Sequence, residues 1–208
     1  MVGRVKTAVM VSGSGSNLQA LIDAGAKGEI PHIELSLVVS SKQGSYALER
    51  AGQNGIDAVV VERRRYKDDI EGFERELLSH LAPRGIEFIV LAGFLTIFSK
   101  PFIDRYKDRI INVHPALIPS FCGKGFYGIR VHQAALEYGV KLSGATVHYV
   151  DETVDGGPII MQKAVSVKEG DTPQTLQRRI MEEAEWVLLP KAAEFAAARI
   201  VKERECPV

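Results

Sequence analysis

Two polar side chains with complementary chemistry lie two positions apart in the segment Asn112-Val113-His114-Pro115. Residues two apart in a strand point to the same side of a sheet, so we expect Asn112 and His114 on one face and Val113 in the core. An amide can donate a hydrogen bond to a developing oxyanion, and an imidazole can transfer a proton near neutral pH. The pair therefore indicates proton transfer at a carbonyl group, although a histidine that only caps a strand end fits the same pattern.

An acidic turn occurs later in the chain, where three acids and two glycines lie between Asp151 and Pro158. A carboxylate beside an imidazole favours the imidazolium and raises the pKa of the ring. We therefore expect one acid of this turn to lie beside His114 and to keep a proton available there at neutral pH. An ordinary solvent-facing turn is the alternative.

A glycine- and serine-rich loop at residues 13–17 separates an expected strand from an expected helix. Glycines let the backbone turn sharply and present N–H groups, and the N-terminus of a helix adds partial positive charge. Together these features are typical of an anion site, and the loop lacks the full dinucleotide pattern and the lysine of a P-loop. It therefore predicts a site for a single phosphate, with a tight turn capped by Ser16 or Asn17 as the alternative.

The other cysteine and histidine residues are weaker candidates for a functional role. Cys122 lies in a glycine-rich loop, and nothing in the sequence marks a depressed thiol pKa. His132 is retained as a candidate for ligand contact, whereas His148 is interpreted as structural or solvent-facing. Cys206 adds no metal-ligand spacing to Cys122, so the sequence predicts no metal site.

The elements that must position these residues alternate along the chain. Apolar runs predict strands at residues 5–12, 33–40, 58–61, 88–92 and 110–113, and periodic apolar residues predict helices at 17–24, 45–54, 67–81, 101–106 and 131–138. Residues 145–150 and 159–167 are expected to form an antiparallel pair. Thr172 and Pro173 are expected to start a last helix that Pro190 breaks or kinks. The fold class predicted is a single-domain, three-layer α/β fold with a mostly parallel sheet, Rossmann-like in its N-terminal half.

Length and charge limit the classes of function. The chain has 208 residues, and its 26 Lys and Arg balance its 26 Asp and Glu. One domain is the economical interpretation, and a neutral chain has no general attraction for nucleic acid or anionic membranes. The first residues do not form a signal peptide or a membrane span, so we expect a cytoplasmic protein with small-molecule ligands, no nucleic acid and no membrane.

Four motifs in this order resemble a known family over about residues 4–200. The motifs are Ser12-Gly13-Ser14-Gly15-Ser16-Asn17-Leu18-Gln19, Leu91-Ala92-Gly93-Phe94, Asn112-Val113-His114-Pro115 and Asp155-Gly156-Gly157-Pro158. The Asn-x-His-Pro and Asp-Gly-Gly-Pro motifs resemble the formyltransferases that use formyltetrahydrofolate. The first loop is more specific to the branch that formylates glycinamide ribonucleotide in purine biosynthesis. The resemblance implies 10-formyltetrahydrofolate as co-substrate, no metal, and a monomer or homodimer.

The same resemblance implies roles for individual residues. Asn112 would hydrogen-bond the formyl oxygen, His114 would act as general acid and base, and Asp155 would support His114. Glu185 would contact the glycinamide. The phosphate of the ribonucleotide would be held by Gly15, Ser16 and Asn17. The folate pocket would be lined by Leu95, Thr96, Ile97 and Phe98 and by the backbone of Val150 and Asp151.

The chain departs from the family pattern at two places that bear on folate. Thr96 occupies a position that is often basic, and Arg63, Arg64 and Arg65 cluster slightly before the place where an arginine meets the folate tail. The loop at residues 121–130 is longer than in many members and is expected to act as a lid.

Two other functions remain open at this point. A formyltetrahydrofolate hydrolase shares the Asn, His and Asp set but has no use for the phosphate loop, and a non-catalytic phosphate-binding module needs only that loop. Within the single domain of residues 1–208, we expect residues 1–100 to hold the phosphate and residues 101–208 to bind folate and to carry catalysis.

Overall fold

The computed structural model describes residues 3–205, so Cys206 lies outside the described part. A seven-stranded sheet forms the middle layer, with the order β3-β2-β1-β4-β5-β6-β7. The strands are β1 Val5–Val11, β2 Ile33–Ser40, β3 Ala58–Val60, β4 Phe88–Leu91, β5 Ile110–His114, β6 Leu142–Tyr149 and β7 Ile159–Ser166. Strands β1 to β5 are parallel, and β6 is antiparallel to both β5 and β7. The predicted fold class and the predicted antiparallel pair are therefore confirmed.

Helices cover both faces of this sheet. They are α1 Ser16–Ala26, α2 Tyr46–Gln53, α3 Ile70–Leu81, α4 Lys100–Arg105, α5 Ile129–Tyr138, α6 Pro173–Ile180 and α7 Trp186–Glu205. One apolar cluster joins one face of the sheet to α1, α2, α5, α6 and α7, and a second joins the other face to α3 and α4. No helix within residues 3–205 is both long enough and apolar enough to cross a membrane.

The first strands read as nearly continuous apolar runs because both faces of a parallel sheet are buried under helices. Four consecutive residues of β4 are all buried, as are the last five of β1. The sheet order turns back between β1 and β4, and open α/β sheets bind their ligands in the crevice beyond the carboxyl ends of strands at such a point. The loops after β1 and β4 begin at this crevice.

Of the two outcomes expected at Pro190, a break or a kink, the break is not found. Thr172 caps α6 with Pro173 in its first turn, as expected, but Pro190 lies inside α7 and does not break it. A π-helical turn at Met181–Glu185 instead joins α6 to α7. This widened turn directly precedes the turn in which Pro190 cannot donate a backbone hydrogen bond, so the helix accommodates the proline and continues.

Candidate active site

The crevice beyond β1, β4 and β5 is a cavity of about 820 Å³, within the size range of small-molecule sites. Its wall is formed by the loops that follow β1, β4 and β6, by the segment between β5 and α5, and by side chains of α5, α6 and the π-helical turn. All thirteen candidate site residues predicted from the sequence line this one cavity: Gly15, Ser16, Asn17, Leu95, Thr96, Ile97, Phe98, Asn112, His114, Val150, Asp151, Asp155 and Glu185.

Asn112, His114 and Asp155 meet at the centre of the cavity. Val113 belongs to the apolar cluster on the opposite face, so the alternation of β5 brings Asn112 and His114 together. Oδ2 of Asp155 lies 3.5 Å from Nδ1 of His114 and accepts a hydrogen bond from the backbone N–H of Gly123 at 2.9 Å. The acidic turn therefore folds back over β5. The acid of this turn that lies beside His114 is Asp155.

The imidazole of His114 is 4% exposed, and its two nitrogens face different partners. Nε2 lies 2.8 Å from the carbonyl oxygen of Phe121, which can only accept, so Nε2 carries the proton of the neutral ring. A second proton on Nδ1 would place the positive charge beside the carboxylate of Asp155. The site can therefore store a proton on the ring while a reaction proceeds.

Burial lowers the pKa of His114 below its ordinary value, and this outweighs the opposite effects of Asp155 and of the Phe121 carbonyl. The sequence prediction of a net upward shift is therefore wrong, although Asp155 acts in the expected direction. The prediction failed because it counted the carboxylate and not the loss of water around a buried ring. At neutral pH the ring of His114 is therefore uncharged.

Asp155 remains a carboxylate in the same surroundings. Burial alone would raise the pKa of Asp155, but the His114 ring beside it and the hydrogen bond from the N–H of Gly123 help to lower that pKa below its usual value. The backbone of Asp155 has φ of 56°, a left-handed conformation that Asp and Asn adopt more readily than most residues. This backbone conformation directs the carboxylate of Asp155 towards His114 of β5.

His148 is a site residue that the sequence analysis missed. It lies opposite Asn112 in the β5–β6 pair, is 2% exposed, and places Nε2 at 3.2 Å from the amide nitrogen of Asn112. Its Nδ1 lies 2.8 Å from the carbonyl oxygen of Tyr149, so Nδ1 carries the proton and Nε2 accepts from Asn112. One amide proton of Asn112 is thus held by His148, and the other is available to a ligand. The two-residue period of β6 shows only that His148 shares a face with Thr146. Its position opposite Asn112 becomes visible only when the pairing of β6 with β5 is known.

The other end of the cavity holds an uncapped helix N-terminus. Gly15 precedes α1 with φ of 71°, and no side chain caps the first turn, so the alternative of a Ser16 or Asn17 cap is wrong. A Cβ atom on Gly15 would lie 2.7 Å from that of Ala47, which excludes a larger residue here. The free N–H groups of this turn and its partial positive charge form the kind of site that binds phosphate.

Glu185 ends the π-helical turn beside this helix. It is 8% exposed and accepts a hydrogen bond from the side-chain nitrogen of Asn17 at 2.6 Å. Burial raises the pKa of Glu185, and the bond from Asn17 opposes that rise. The oxygen of the Asn17 amide is buried and has no partner among the described residues. Asn17 and Glu185 are therefore fixed to each other and face the same end of the cavity.

The segment after β4 forms an apolar wall. Phe94 and Phe98 are buried in a chain of aromatic rings, whereas Leu95 is 62% and Ile97 is 60% exposed. Successive rings of the chain lie 4.4 to 6.4 Å apart and belong to Tyr66, Phe73, Phe94, Phe98, Phe102 and Tyr106. Phe98 thus mainly packs in the core, and the two exposed aliphatic side chains are the part of this segment that offers contact to a ligand.

A carboxylate from a neighbouring helix fixes the end of the same segment. Glu74 of α3 is 6% exposed and accepts hydrogen bonds from the backbone N–H of Ser99, at 2.6 Å, and from its hydroxyl.

Val150 and Asp151 lie across the cavity at the start of the acidic turn, where Val150 is half-buried and Asp151 is exposed.

Cys122 does not have the properties of a nucleophile. Burial raises the pKa of its thiol, and the nearby charge of Asp155 adds to that rise. Its Sγ donates to the carbonyl oxygen of Pro119 at 3.3 Å. Within residues 3–205, no group of three His, Cys, Asp or Glu side chains is arranged to hold a metal ion.

The fold and the site together are compatible with an α/β group-transfer enzyme, since one cavity joins an uncapped helix N-terminus to a buried His, Asp and Asn cluster. Comparison with known proteins makes the assignment particular. The chain matches the model of the family described as formyl transferase over residues 5–192. The chain therefore belongs to the formyl transferase family, and the family resemblance seen in the sequence is confirmed.

Individual relatives support the same family. The trifunctional purine biosynthetic protein adenosine-3 of Drosophila pseudoobscura pseudoobscura is 44% identical over 198 residues, which cover 94% of this chain and 14% of that protein. The crystal structure of glycinamide ribonucleotide transformylase 1 from Symbiobacterium toebii has a TM-score of 0.86 at 39% identity, covering 94% of this chain and 89% of that chain. A formyltetrahydrofolate deformylase from Pseudomonas syringae pv. tomato str. DC3000 has a TM-score of 0.83 at 26% identity, covering 94% and 62%. The chain spans 14% to 19% of the length of the trifunctional relatives that it matches.

Proposed function

We propose that the protein transfers the formyl group of 10-formyltetrahydrofolate to the amino group of glycinamide ribonucleotide, a step of purine biosynthesis. One observation carries the proposal: a single cavity joins an uncapped helix N-terminus at one end to Asn112, His114 and Asp155 at its centre. An acceptor with a phosphate at one end and an amine at the other fits this arrangement. A hydrolase or a simple phosphate-binding module would use only part of it.

The acceptor would bind across the cavity from α1 to β5. Its phosphate would accept hydrogen bonds from the backbone around Gly15, Ser16 and Asn17, where the helix supplies unpaired N–H groups. Glu185, held by Asn17, would contact the glycinamide part and orient the amine. Because the chain has no net charge, this local device is what would attract the anionic substrate.

The formyl donor would bind along the apolar wall. The exposed side chains of Leu95 and Ile97 would pack against its ring system, and burying them would contribute to affinity. Phe98 would hold the segment in place from the core. Thr96 and the backbone of Val150 and Asp151 would complete this side of the pocket.

The chemical step follows from the placement of the three central side chains. The acceptor nitrogen forms a bond to the formyl carbon, and the carbonyl electrons move to oxygen, where the free amide proton of Asn112 stabilises the charge. Neutral His114 takes the proton that the acceptor nitrogen loses, and Asp155 stabilises the resulting imidazolium. The bond from carbon to the folate nitrogen then breaks, and that nitrogen receives the proton from His114. The proton balance closes without a metal ion.

Three further properties belong to the same proposal. The whole reaction would be carried out within residues 1–208 by a cytoplasmic monomer or homodimer that binds neither nucleic acid nor membrane. Residues 1–100 would supply most of the phosphate site and residues 101–208 the catalytic and folate contacts, although Glu185 and the apolar wall cross that division. The 121–130 loop, whose backbone at Phe121 and Gly123 contacts His114 and Asp155, would cover the bound folate.

One assay separates the proposed activity from its alternatives. The protein is incubated with 10-formyltetrahydrofolate, with and without glycinamide ribonucleotide, and both folate products and formylated ribonucleotide are measured. We expect folate turnover only when the ribonucleotide is present, with one formylated product for each folate released. Folate hydrolysis without the ribonucleotide would support the deformylase reaction of the more distant relative. Ribonucleotide binding without turnover would support a binding module.

A further inference from the structure

His132 is a buried polar residue of the cavity that the proposed chemistry does not use. It lies in the first turns of α5, is 1% exposed, and lines the same cavity as His114. Neither of its ring nitrogens has a hydrogen-bond partner among residues 3–205. Buried polar groups are rarely left without partners, because each loses its bonds to water on burial. Both ring nitrogens of His132 are therefore available to hydrogen-bond a ligand that enters the cavity.

The protonation state of His132 limits what this partner can be. Burial lowers the pKa of His132 to about 4, and the nearby His114 ring contributes to the shift. The ring is then neutral at physiological pH and offers one N–H donor and one acceptor nitrogen. A phosphate or carboxylate could use only the donor, whereas a hydroxyl or amide can use either nitrogen. The chemistry favours an uncharged polar group.

The position of α5 indicates which substrate carries that group. Helix α5 packs against α6, and α6 continues into the π-helical turn that ends at Glu185. Gln177 of α6 and Met181 of the π-helical turn also line the cavity. The apolar wall that would bind folate comes instead from the loop after β4. His132 thus belongs to the side of the cavity that leads to Asn17 and the phosphate site.

We propose that His132 contacts the acceptor substrate directly, by hydrogen-bonding an uncharged hydroxyl or amide between its phosphate and its reacting amine. This inference rests on the proposed formyl transfer to glycinamide ribonucleotide, which has both kinds of group in that region. His132 adds recognition of the acceptor and takes no part in proton transfer. A ligand that lacks these groups would leave the ring unpaired and would bind less well.

The test compares three variants with the wild-type protein. His132→Ala removes the donor and the acceptor, and His132→Gln retains one of each in a side chain of similar reach. Val131→Ala is the matched control, because Val131 is fully buried on the same helix and does not line the cavity. The measurements are KM for each substrate, kcat, the pH dependence of kcat, and thermal stability.

Each net hydrogen bond is worth about a fivefold change in affinity, so we expect KM for glycinamide ribonucleotide to rise about five- to thirtyfold in His132→Ala. KM for formyltetrahydrofolate and the pH dependence of kcat stay unchanged, and His132→Gln recovers most of the loss. Val131→Ala lowers thermal stability without changing either KM. In addition, ¹⁵N NMR of the His132 ring should shift on addition of glycinamide ribonucleotide alone.

Different results refute the two proposals separately. A wild-type protein that does not formylate glycinamide ribonucleotide refutes the proposed function, and the His132 contact falls with it. Wild-type transfer combined with an unchanged KM for the ribonucleotide in His132→Ala refutes only the contact. A shifted pH profile at constant KM would also refute it, because His132 would then act through His114.

Discussion

Replacement of Asp155 by Asn tests the centre of the site with the least change in shape. Asn also adopts the left-handed backbone conformation that Asp155 has, and its side-chain oxygen can still accept from the N–H of Gly123. What the variant loses is the negative charge 3.5 Å from Nδ1 of His114. The fold should therefore survive while the support for a protonated His114 disappears.

The size of the effect follows from that distance. Two unit charges 3.5 Å apart interact with about 5 kcal/mol at an effective dielectric constant of about 20, which equals roughly a 4000-fold change in rate. The amide dipole of the substituted side chain replaces a small part of this interaction, and some solvent reaches the half-buried turn. We therefore expect kcat to fall by about 100- to 1000-fold, with KM for both substrates within about threefold of wild type.

The pH profile gives an independent measure of the same interaction. Asp155 raises the pKa of His114 against the dominant effect of burial, so removing its charge lowers the pKa of the ring further. If neutral His114 is the active form, the acid limb of kcat moves to lower pH in Asp155→Asn. If the imidazolium is the active form, it is the alkaline limb that moves, again to lower pH.

The assay is steady-state formyl transfer between pH 5 and pH 9, with thermal unfolding as a check on folding. Glu169→Gln is the control for the change in net charge, because Glu169 is exposed in the turn between β7 and α6 and does not line the cavity. Asp155→Asn with near-normal kcat, or with a limb that moves to higher pH, would show that the carboxylate does not support the imidazolium.

Three other substitutions test the remaining parts of the site. Asn112→Ala and His114→Ala should each lower kcat by at least about 100-fold, since each removes a group that the proposed mechanism uses in the transition state; near-normal turnover in either would contradict its role. Glu74→Gln weakens the anchor on Ser99, so KM for formyltetrahydrofolate should rise about three- to tenfold at unchanged KM for the acceptor, as measured with each substrate varied in turn. Glu185→Gln should raise KM for the acceptor about tenfold and leave thermal stability unchanged or improved, because it also removes a buried carboxylate; an unchanged KM would exclude contact with the acceptor.

The sequence was sufficient for the type and approximate bounds of the elements, because periodic apolar residues record which face is buried. Strand β2 was predicted at the residues where it is observed. The prediction for α3 began three residues early because it included residues 67–69, the last of which, Asp69, caps the helix. The order of the strands could not be predicted. It depends on which distant strands pair, and the alternation of apolar residues is the same for many orders.

The site could be predicted only as far as its residues share a local motif. The strand period placed Asn112 beside His114, but Asp155 is 41 residues further along the chain than His114. The residues alone suggested an acid of that turn as a neighbour of His114, and only the family resemblance identified it as Asp155. The bond from His148 to Asn112 requires the register of β5 against β6. The downward pKa shift of His114 requires its burial, which no local pattern records.

One face of this sheet changes from apolar to polar side chains where the cavity lies, at β5 and β6. On the face that α3 and α4 cover near β1 and β4, the side chains are apolar, but β5 and β6 carry Asn112, His114, Thr146 and His148 on that face. The opposite face of the same two strands is apolar, and β6 packs against α7 on that side. Three of these four side chains, those of Asn112, His114 and His148, line the cavity, and the pairing of β6 with β5 places His148 opposite Asn112.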